Sequence, residues 1–274
     1  MKRSWRLIIH FLATAFLLIC PLKCAHAEDP IYRFRAGFHL SEEHPPTAKQ
    51  LKLLLNELRS LTGFAEMLTK PDGDISLGNH SLTGGGSEIA RKLFTTAIDG
   101  HDSFILESRD HTATIAFAQI ESLLVYTDSA GQVHHEWHIR IDFADFKELR
   151  GDKTAIASFG PGMNLLHELV HAILGYPDPL TSADPLGQCE RHLNLIRADL
   201  RLPLRQHYYP RSRFAVSPES IAQIFQGEIS FSRSDESSKQ LREFSLTFNV
   251  DRVLDVSRRP PNLIYSDLAR LSTK

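Results

Sequence analysis

The chain has no apolar run of the roughly 20 residues that a membrane-spanning helix requires. Its most apolar stretch, Leu7 to Cys20, is short and is interrupted by His10 and Thr14. A basic start precedes this stretch, and the small-x-small sequence Ala25-His26-Ala27 follows it, which is the arrangement of a cleaved signal peptide. We therefore expect residues 1–27 to be removed and the protein to be exported, to the periplasm or outside the cell, without stable membrane insertion. A retained anchor is the alternative.

Cysteine is almost absent. Of the three cysteines in 274 residues, Cys20 and Cys24 lie in the predicted signal peptide and Cys189 alone would remain. A single cysteine excludes an intramolecular disulfide even in an exported protein. Neither leader cysteine follows the small residue expected before a lipidated one, which disfavours a lipoprotein. The fold must then be stabilised by its hydrophobic core and by any metal that it binds.

An excess of positive charge is lacking as well. The formal net charge is −2, and removal of the leader, which holds four basic and no acidic residues, changes it to −6. This charge gives no reason to expect a nucleic acid as partner. The glycine-rich segment 84–87 lacks the Lys-Ser/Thr pair of a phosphate-binding loop, and the chain has no internal repeat.

What the sequence does contain is His167-Glu168-Leu169-Val170-His171, an H-E-x-x-H pattern inside an apolar run. Positions i and i+4 of an α-helix lie on one face, so two imidazoles there can bind one zinc ion while Glu168 reaches a water on it. Gly175 and Pro177 predict that the helix ends at Gly175. Because the chain has 14 histidines, chance also produces this spacing, and a buried helix with two hydrogen-bonded histidines is the alternative.

A second helix is predicted over residues 184–200, with Asp184 as N-cap and Pro185 at its first position. Glu190 lies on this helix at the edge of its apolar face. A half-buried carboxylate there is unfavourable unless it is paired or bound to a metal. The adjacent Cys189 points about 100° away around the helix, so only one of these two residues can face an ion held by the first helix.

H-E-x-x-H followed after about twenty residues by Glu on a second helix resembles the gluzincin branch of the zincin metallopeptidases. The resemblance covers about residues 163–209, and the continuation is similar to the motifs of short bacterial effector and toxin zinc proteases at Glu190, Asn194, Arg197, Leu202, Pro203, Arg205, Tyr208 and Tyr209. It implies an α+β, zincin-like fold: a mixed sheet, N-terminal helices, the H-E-x-x-H helix and a second helix carrying Glu190.

The resemblance also implies one zinc ion per chain, held by His167, His171 and Glu190, and it favours Glu190 over Cys189 as the third ligand. Glu168 would then act as general base in hydrolysis of a peptide bond of a peptide or protein substrate. Cys189 is expected to point towards the packing face of its helix.

Three further residues receive roles from the same resemblance. In thermolysin-like relatives an Asp four residues after the third ligand orients a zinc-binding histidine, and Asn194 occupies that position here as an uncharged acceptor. The developing oxyanion needs a second electrophile besides zinc, for which Tyr208 or Tyr209 is the best candidate. Two other functions stay open: a zinc hydrolase of small amides or esters, and a non-catalytic binding module whose metal is closed by a fourth ligand such as His192 or Asp184.

The rest of the chain contains the patterns of further helices and strands. Amphipathic patterns predict helices over 47–63 and 87–98, and period-two patterns predict strands over 31–40, 103–107, 112–118, 120–127 and 133–143. His134, Glu136 and His138 share the polar face of the last strand; a metal site there is one alternative, and the solvated face of an antiparallel hairpin is favoured. By analogy with zincins, this hairpin lines the substrate cleft. We expect a zincin-like domain over 28–212 and a β-rich extension of the same domain over 213–274.

Overall fold

The computed structural model describes residues 34–112, 114–179, 183–216, 223–235 and 239–253. The predicted signal peptide lies outside these residues. The helices are α1 (Ala48–Thr62), α2 (Glu88–Asp99), α3 (Lys153–Ala157), α4 (Pro161–Leu174), α5 (Gly187–Asp199) and α6 (Val250–Val253). The strands are β1 (Gly37–Leu40), β2 (Leu68–Thr69), β3 (Ile75–Ser76), β4 (Ser103–Ser108), β5 (Ala118–Thr127), β6 (Val133–Ile141), β7 (Arg150–Gly151), β8 (Leu204–Arg205), β9 (Arg211–Val216), β10 (Gln223–Ser234) and β11 (Leu241–Asn249).

The main sheet is mixed and has the strand order β1-β4-β6-β5. β1, β4 and β6 run parallel to one another, and β5 pairs antiparallel with β6 at the edge. The apolar faces of α1, α2, α4 and α5 pack with this sheet in one core, to which Phe38, Leu58 and Phe94 contribute fully buried side chains. The predicted α+β class and mixed sheet are confirmed.

Helix α1 illustrates how the local sequence fixes an element. Thr47 and Gln50 form a reciprocal capping box at its start, and Gly63 ends it in the left-handed conformation at φ 77°. Leucines at helical spacing between these two signals lie in the core. The predicted bounds of this helix and of α2 are confirmed to within two residues.

The antiparallel β5–β6 hairpin is confirmed, but the predicted strand over 112–118 is wrong. Backbone N–H groups of Thr112 and Phe117 donate to the carboxylates of Asp142 and Asp145 and not to a neighbouring strand. Phe117 also has a left-handed φ of 66°, which breaks an extended chain. Ala118 is therefore the first residue of β5.

A second sheet has the order β7-β11-β10-β8, with β9 pairing on β10. Its strands come from both sides of residue 212, since β7 and β8 precede that position while β10 and β11 follow it. A separate apolar cluster that includes Phe159, Phe231 and Leu246 packs against this sheet. The described residues from Arg35 onwards belong to one compact unit, and the boundary at residue 212 stays a prediction.

Helix α5 begins later than the sequence suggests. Its first residue is Gly187, at a left-handed φ of 71°, and not Pro185. Asp184 lies before the helix, where its carboxylate accepts hydrogen bonds from the N–H groups of Leu186 and Gly187. None of the helices in the described residues is long and apolar enough to cross a membrane.

Candidate metal centre

Helix α4 presents two histidines on one face. Pro161 stands in its first turn, where a missing N–H is not needed, and Gly175 ends it at φ 64°, so its predicted end is confirmed. The Nε2 atoms of His167 and His171 lie 3.0 Å apart, and their rings meet edge to face with centroids 4.7 Å apart. Helical spacing has therefore turned two imidazole nitrogens towards a single point.

The second ring nitrogen of each histidine faces an acceptor. His171 Nδ1 donates to the backbone carbonyl of Tyr176 at 2.6 Å, and His167 Nδ1 lies 3.5 Å from Glu190 Oε2. An acceptor at Nδ1 keeps the imidazole proton there and leaves a lone pair on Nε2. Both Nε2 atoms are thus available as metal ligands.

Asp178 places a third ligand atom beside the two imidazole nitrogens, and the three atoms form a triangle. It follows the turn at the end of α4, and its Oδ1 lies 3.2 Å from His167 Nε2 and 3.4 Å from His171 Nε2. This oxygen is buried and makes no hydrogen bond. Buried acceptors of this kind normally have a partner. A cation between the three ligand atoms would be such a partner.

The size of the triangle fits a metal ion. Ligands arranged tetrahedrally at about 2.0–2.1 Å from zinc are separated from one another by roughly 3.3–3.4 Å. The three separations of 3.0, 3.2 and 3.4 Å found here lie close to that value. Two imidazole nitrogens and one carboxylate oxygen are also a donor set that zinc and similar transition metals accept.

The pKa shifts of the two histidines and of Asp178 indicate that this site favours positive charge. Burial works against protonation of the histidines, yet contacts with Asp178 and Cys189 raise the pKa of His171 to about 10 and that of His167 well above its usual range. Burial would raise the pKa of Asp178, but the two imidazoles hold it well below its usual range. The same anionic surroundings that favour protons on these rings favour a metal cation.

Cys189 on α5 is the fourth member of the cluster. Its Sγ lies 3.4 Å from His167 Nδ1, and one ligand atom from each of His167, His171, Asp178 and Cys189 lies within 4.8 Å of the others. We call these four residues the metal group. Cys189 is fully buried in the core, as expected for the packing face of its helix. The expectation that it therefore points away from the site is wrong, because the same packing against α4 brings its Sγ next to His167.

Glu190 is not in the metal group, which corrects its predicted role as third ligand. Its carboxylate is fully buried and is occupied by two guanidinium groups: Oε1 by Arg197 and Oε2 by Arg205, the latter at 3.0 Å. Burial would raise its pKa, but these cations hold it well below its usual range. The carboxylate thus lies behind His167, on the Nδ1 side, where it can orient the ring.

Asn194 does not contact either histidine, so its predicted role as their orienting residue is wrong. Its side chain joins α5 to β8: Nδ2 donates to the Arg205 carbonyl and Oδ1 accepts from the Arg205 N–H, each at 2.9 Å. Oδ1 also accepts from Arg197 at 2.9 Å. The amide can make this paired contact because it is at once donor and acceptor.

The two tyrosines have different surroundings. The Tyr208 hydroxyl donates to Asp178 Oδ2 at 2.6 Å, and its ring is stacked on His167 with centroids 5.9 Å apart. The Tyr209 hydroxyl donates to the carbonyl of Pro179 at 2.7 Å. Of the two predicted candidates, Tyr208 therefore reaches the metal group, where it holds the carboxylate of Asp178.

Glu168 is buried beside the metal group and next to the edge strand. Burial, the largest effect, raises the pKa of its carboxyl, while the two imidazoles and a hydrogen bond from the Ile120 backbone in β5 lower it. The net shift is upward, in the direction that makes a carboxylate a better base. Glu168 thus lies between the histidines of α4 and the first half of β5.

The charged side chains around the histidines, all buried except the partly exposed Asp178, leave one negative charge unbalanced. Three carboxylates, those of Glu168, Asp178 and Glu190, surround the histidines, and two guanidinium groups, those of Arg197 and Arg205, face Glu190. An unpaired charge is unfavourable in a buried site. Either protons on the imidazoles or a bound divalent cation can balance it.

Asp178 is the member of this site that sequence reasoning missed. The signal available was its place three residues after Gly175, because a left-handed glycine at the end of a helix reverses the chain towards the helix's last turn, where His171 lies. The two residues proposed as closing ligands lie elsewhere: His192 meets the ring of Tyr176 and Asp184 pairs with Arg191. Comparisons with family models, with curated proteins and with solved structures found no match.

Proposed function

We propose that this protein is an exported zinc metallopeptidase of the zincin class. The observation that carries the proposal is the triangle of three closely spaced ligand atoms on His167, His171 and Asp178, with the buried carboxylate of Glu168, whose pKa is raised, beside it. The proposal keeps the H-E-x-x-H resemblance but changes its ligand set, since Asp178 takes the place predicted for Glu190. The zincin-like fold and the choice of zinc are parts of this proposal.

His167, His171 and Asp178 would hold the ion. The ion would act as a Lewis acid and would lower the pKa of a bound water. Glu168 would accept a proton from water and return it to the leaving amine, a role that its raised pKa favours. Tyr208 and the Tyr176 carbonyl would fix Asp178 and His171 in their binding orientations. The side chain of Glu168 is buried and lies against the Ile120 backbone of β5.

A peptide as substrate is supported by the position of β5. This strand is the edge of the main sheet, so its outer backbone groups can pair with an extended chain. Ile120, which contacts Glu168, lies on this strand, and a paired peptide would therefore pass beside the proposed base. Hydrolysis of small amides or esters remains the alternative, since the same residues support it.

The test combines metal content with a change at Glu168. Residues 28–274, purified without chelator, are expected to contain about one zinc per chain by elemental analysis and to cleave an unfolded protein substrate such as casein. Glu168→Gln keeps the size of the side chain and removes its basicity, so zinc should stay while turnover falls about 100-fold or more. Lack of zinc, together with no uptake when it is added, would overturn the proposal. Equal turnover in the variant would exclude Glu168 as the base.

One observation favours a second candidate, an exported binding module that uses the metal only for stability. Cys189 lies within the metal group, and thiolate is a strong zinc ligand. Four protein ligands would close the coordination sphere, as in structural zinc sites. A metal-dependent melting temperature in a protein without hydrolytic activity, and tetrahedral sulfur-containing coordination by X-ray absorption, would favour this function over the first.

A further inference from the structure

Arg205 lies behind the metal group and makes several polar contacts there. Its guanidinium is buried and donates in three directions: Nη1 to Glu190 Oε2 at 3.0 Å, Nε to the His207 carbonyl at 3.0 Å and Nη2 to the Tyr208 carbonyl at 2.5 Å. It also lies over the rings of Tyr208 and Phe159, at 5.3 and 5.2 Å from their centroids. A planar group with five donors is needed to satisfy such a set of acceptors.

The first of these contacts leads to His167. Glu190 Oε2, which accepts from Arg205, is the same oxygen that lies 3.5 Å from His167 Nδ1. A carboxylate behind a metal-binding imidazole fixes the ring and its tautomer. Arg205 thereby holds in place the group that orients the first histidine ligand.

A second connection leads to Asp178. Arg205 fixes the backbone of Tyr208 through its carbonyl and the ring through the cation–π contact. The Tyr208 hydroxyl in turn donates to Asp178 Oδ2 at 2.6 Å. The oxygen left for the ion, Oδ1, is thus aimed by a chain of contacts that begins at the same guanidinium.

Arg205 is itself held rigidly. Asn194 on α5 binds both its N–H and its carbonyl at 2.9 Å, and its Cα pairs in register with Phe231 of β10. The guanidinium is therefore anchored to α5 and to the second sheet. It can therefore keep the ligand residues of α4 and of the turn after it in fixed positions.

We propose that Arg205 is a positioning residue that sets the geometry of the metal centre by orienting His167 through Glu190 and Asp178 through Tyr208. The inference rests on the proposed metal site and deepens it. Lysine at this position would keep the charge but lose the planar guanidinium, whose N–H groups bind three acceptors at once. We expect Arg205→Lys to lower zinc affinity about 10- to 100-fold, the range observed when groups behind metal ligands are changed.

The experiment is a zinc titration against a competing chelator, with Arg233→Lys as the matched control. Arg233 also donates to a carbonyl, that of Arg201, and lies over an aromatic ring, Phe244, but those contacts lie outside the metal group. The control variant should bind zinc within about twofold of the parent protein. Visible spectra of the cobalt-loaded proteins give a second readout, because they report ligand geometry at the ion and not the stability of the fold. A changed spectrum is expected for Arg205→Lys alone.

Two smaller changes keep the proposal testable if Arg205→Lys does not fold. Tyr208→Phe removes only the hydroxyl on Asp178, and Glu190→Gln removes only the charge behind His167; each should weaken zinc binding by part of the Arg205→Lys effect. Adding Tyr208→Phe to Arg205→Lys should cost less than the two separate losses combined, since both act on one chain of contacts. Unchanged affinity and spectrum in Arg205→Lys, or in both smaller variants, would overturn the role of Arg205. Absence of zinc binding in the parent protein would instead overturn the proposed function.

Discussion

Among the described residues, two clusters of histidine and carboxylate differ in how fully their polar atoms are satisfied. One is the metal group on α4, α5 and the turn between them. The other, which we call the strand cluster, lies on β4 and β6, and on the residue that follows β4, and consists of Glu107, Arg109, Glu136, His138 and Arg140. In the strand cluster His138 Nδ1 lies 2.6 Å from Glu107 Oε1, and Glu107 Oε2 accepts from Arg109 at 2.7 Å and Arg140 at 3.3 Å.

The strand cluster balances its own charge, and the metal group does not. Burial would raise the pKa of Glu107, but hydrogen bonds from His138 and Arg109 hold it below its usual range, and His138 Nε2 has Glu136 as its second partner at 3.2 Å. Asp178 Oδ1, in contrast, has two imidazole nitrogens beside it and no hydrogen bond. The difference teaches that a pattern of histidine and carboxylate indicates a metal site only where arginine does not already satisfy the carboxylates.

The largest expected difference between the clusters is in metal binding itself. His167→Ala removes one of two imidazole ligands and should abolish detectable zinc binding at micromolar zinc, while His138→Ala should leave about one zinc per chain. Elemental analysis after gel filtration of each variant makes the measurement. Zinc lost from the His138 variant and kept in the His167 variant would reverse the assignment of the two clusters.

The second difference concerns zinc affinity and stability together. Asp178→Asn keeps the shape of the side chain and removes its charge, so zinc affinity should fall about 100-fold. The metal-free protein should also lose stability at neutral pH, because the two imidazoles hold the pKa of Asp178 well below its usual range. Glu107→Gln, the same chemical change in the strand cluster, weakens the pairing of Arg109 and Arg140, although Arg140 keeps Glu121 at 2.7 Å. It should destabilise the fold by about 1–3 kcal/mol and leave zinc affinity unchanged. A chelator titration and urea unfolding in the presence of chelator compare the two variants. Unchanged zinc affinity in Asp178→Asn would mean that Asp178 is held by the protein and not by an ion.

The parts of the fold and of the candidate site that the sequence predicts are those that local interactions determine. Periodicity and end signals fixed α1, α4 and the β5–β6 hairpin, because capping residues and apolar spacing act within a few positions. They also identified His167, Glu168 and His171. The third ligand depends on which carboxylate is taken by arginine, and the arginine contacts of Glu190 join residues up to 15 positions apart. No local pattern shows that pairing, so Asp178, which had no predicted role, takes in our proposal the place predicted for Glu190.

Cys189 separates the two proposed functions, with a smaller expected effect. Its Sγ lies on the Nδ1 side of His167, whereas the other two ligands lie on the Nε2 side, so we expect Cys189→Ser to weaken zinc about tenfold or less and to preserve hydrolysis. The chelator titration and a casein assay measure both quantities. A loss as large as that of Asp178→Asn would make Cys189 a true fourth ligand and would favour the non-catalytic binding module.

The smallest effect is expected at Asn194, and it tests whether the second helix acts on the metal directly or through its arginines. Asn194→Asp keeps an acceptor for the Arg205 N–H and loses the donor to the Arg205 carbonyl, whereas Asn194→Ala loses both of these and the hydrogen bond from Arg197. Because neither change touches a histidine or Asp178, zinc affinity should stay within about threefold in both variants. Stability should fall by about 1 kcal/mol for each hydrogen bond lost, so the alanine variant unfolds at the lower urea concentration. If zinc affinity fell tenfold in Asn194→Ala without a matching loss of stability, Asn194 would be acting on the metal centre, either at an imidazole or through the position of Arg205, and the division between a metal group on α4 and a supporting network on α5 and β8 would have to be redrawn.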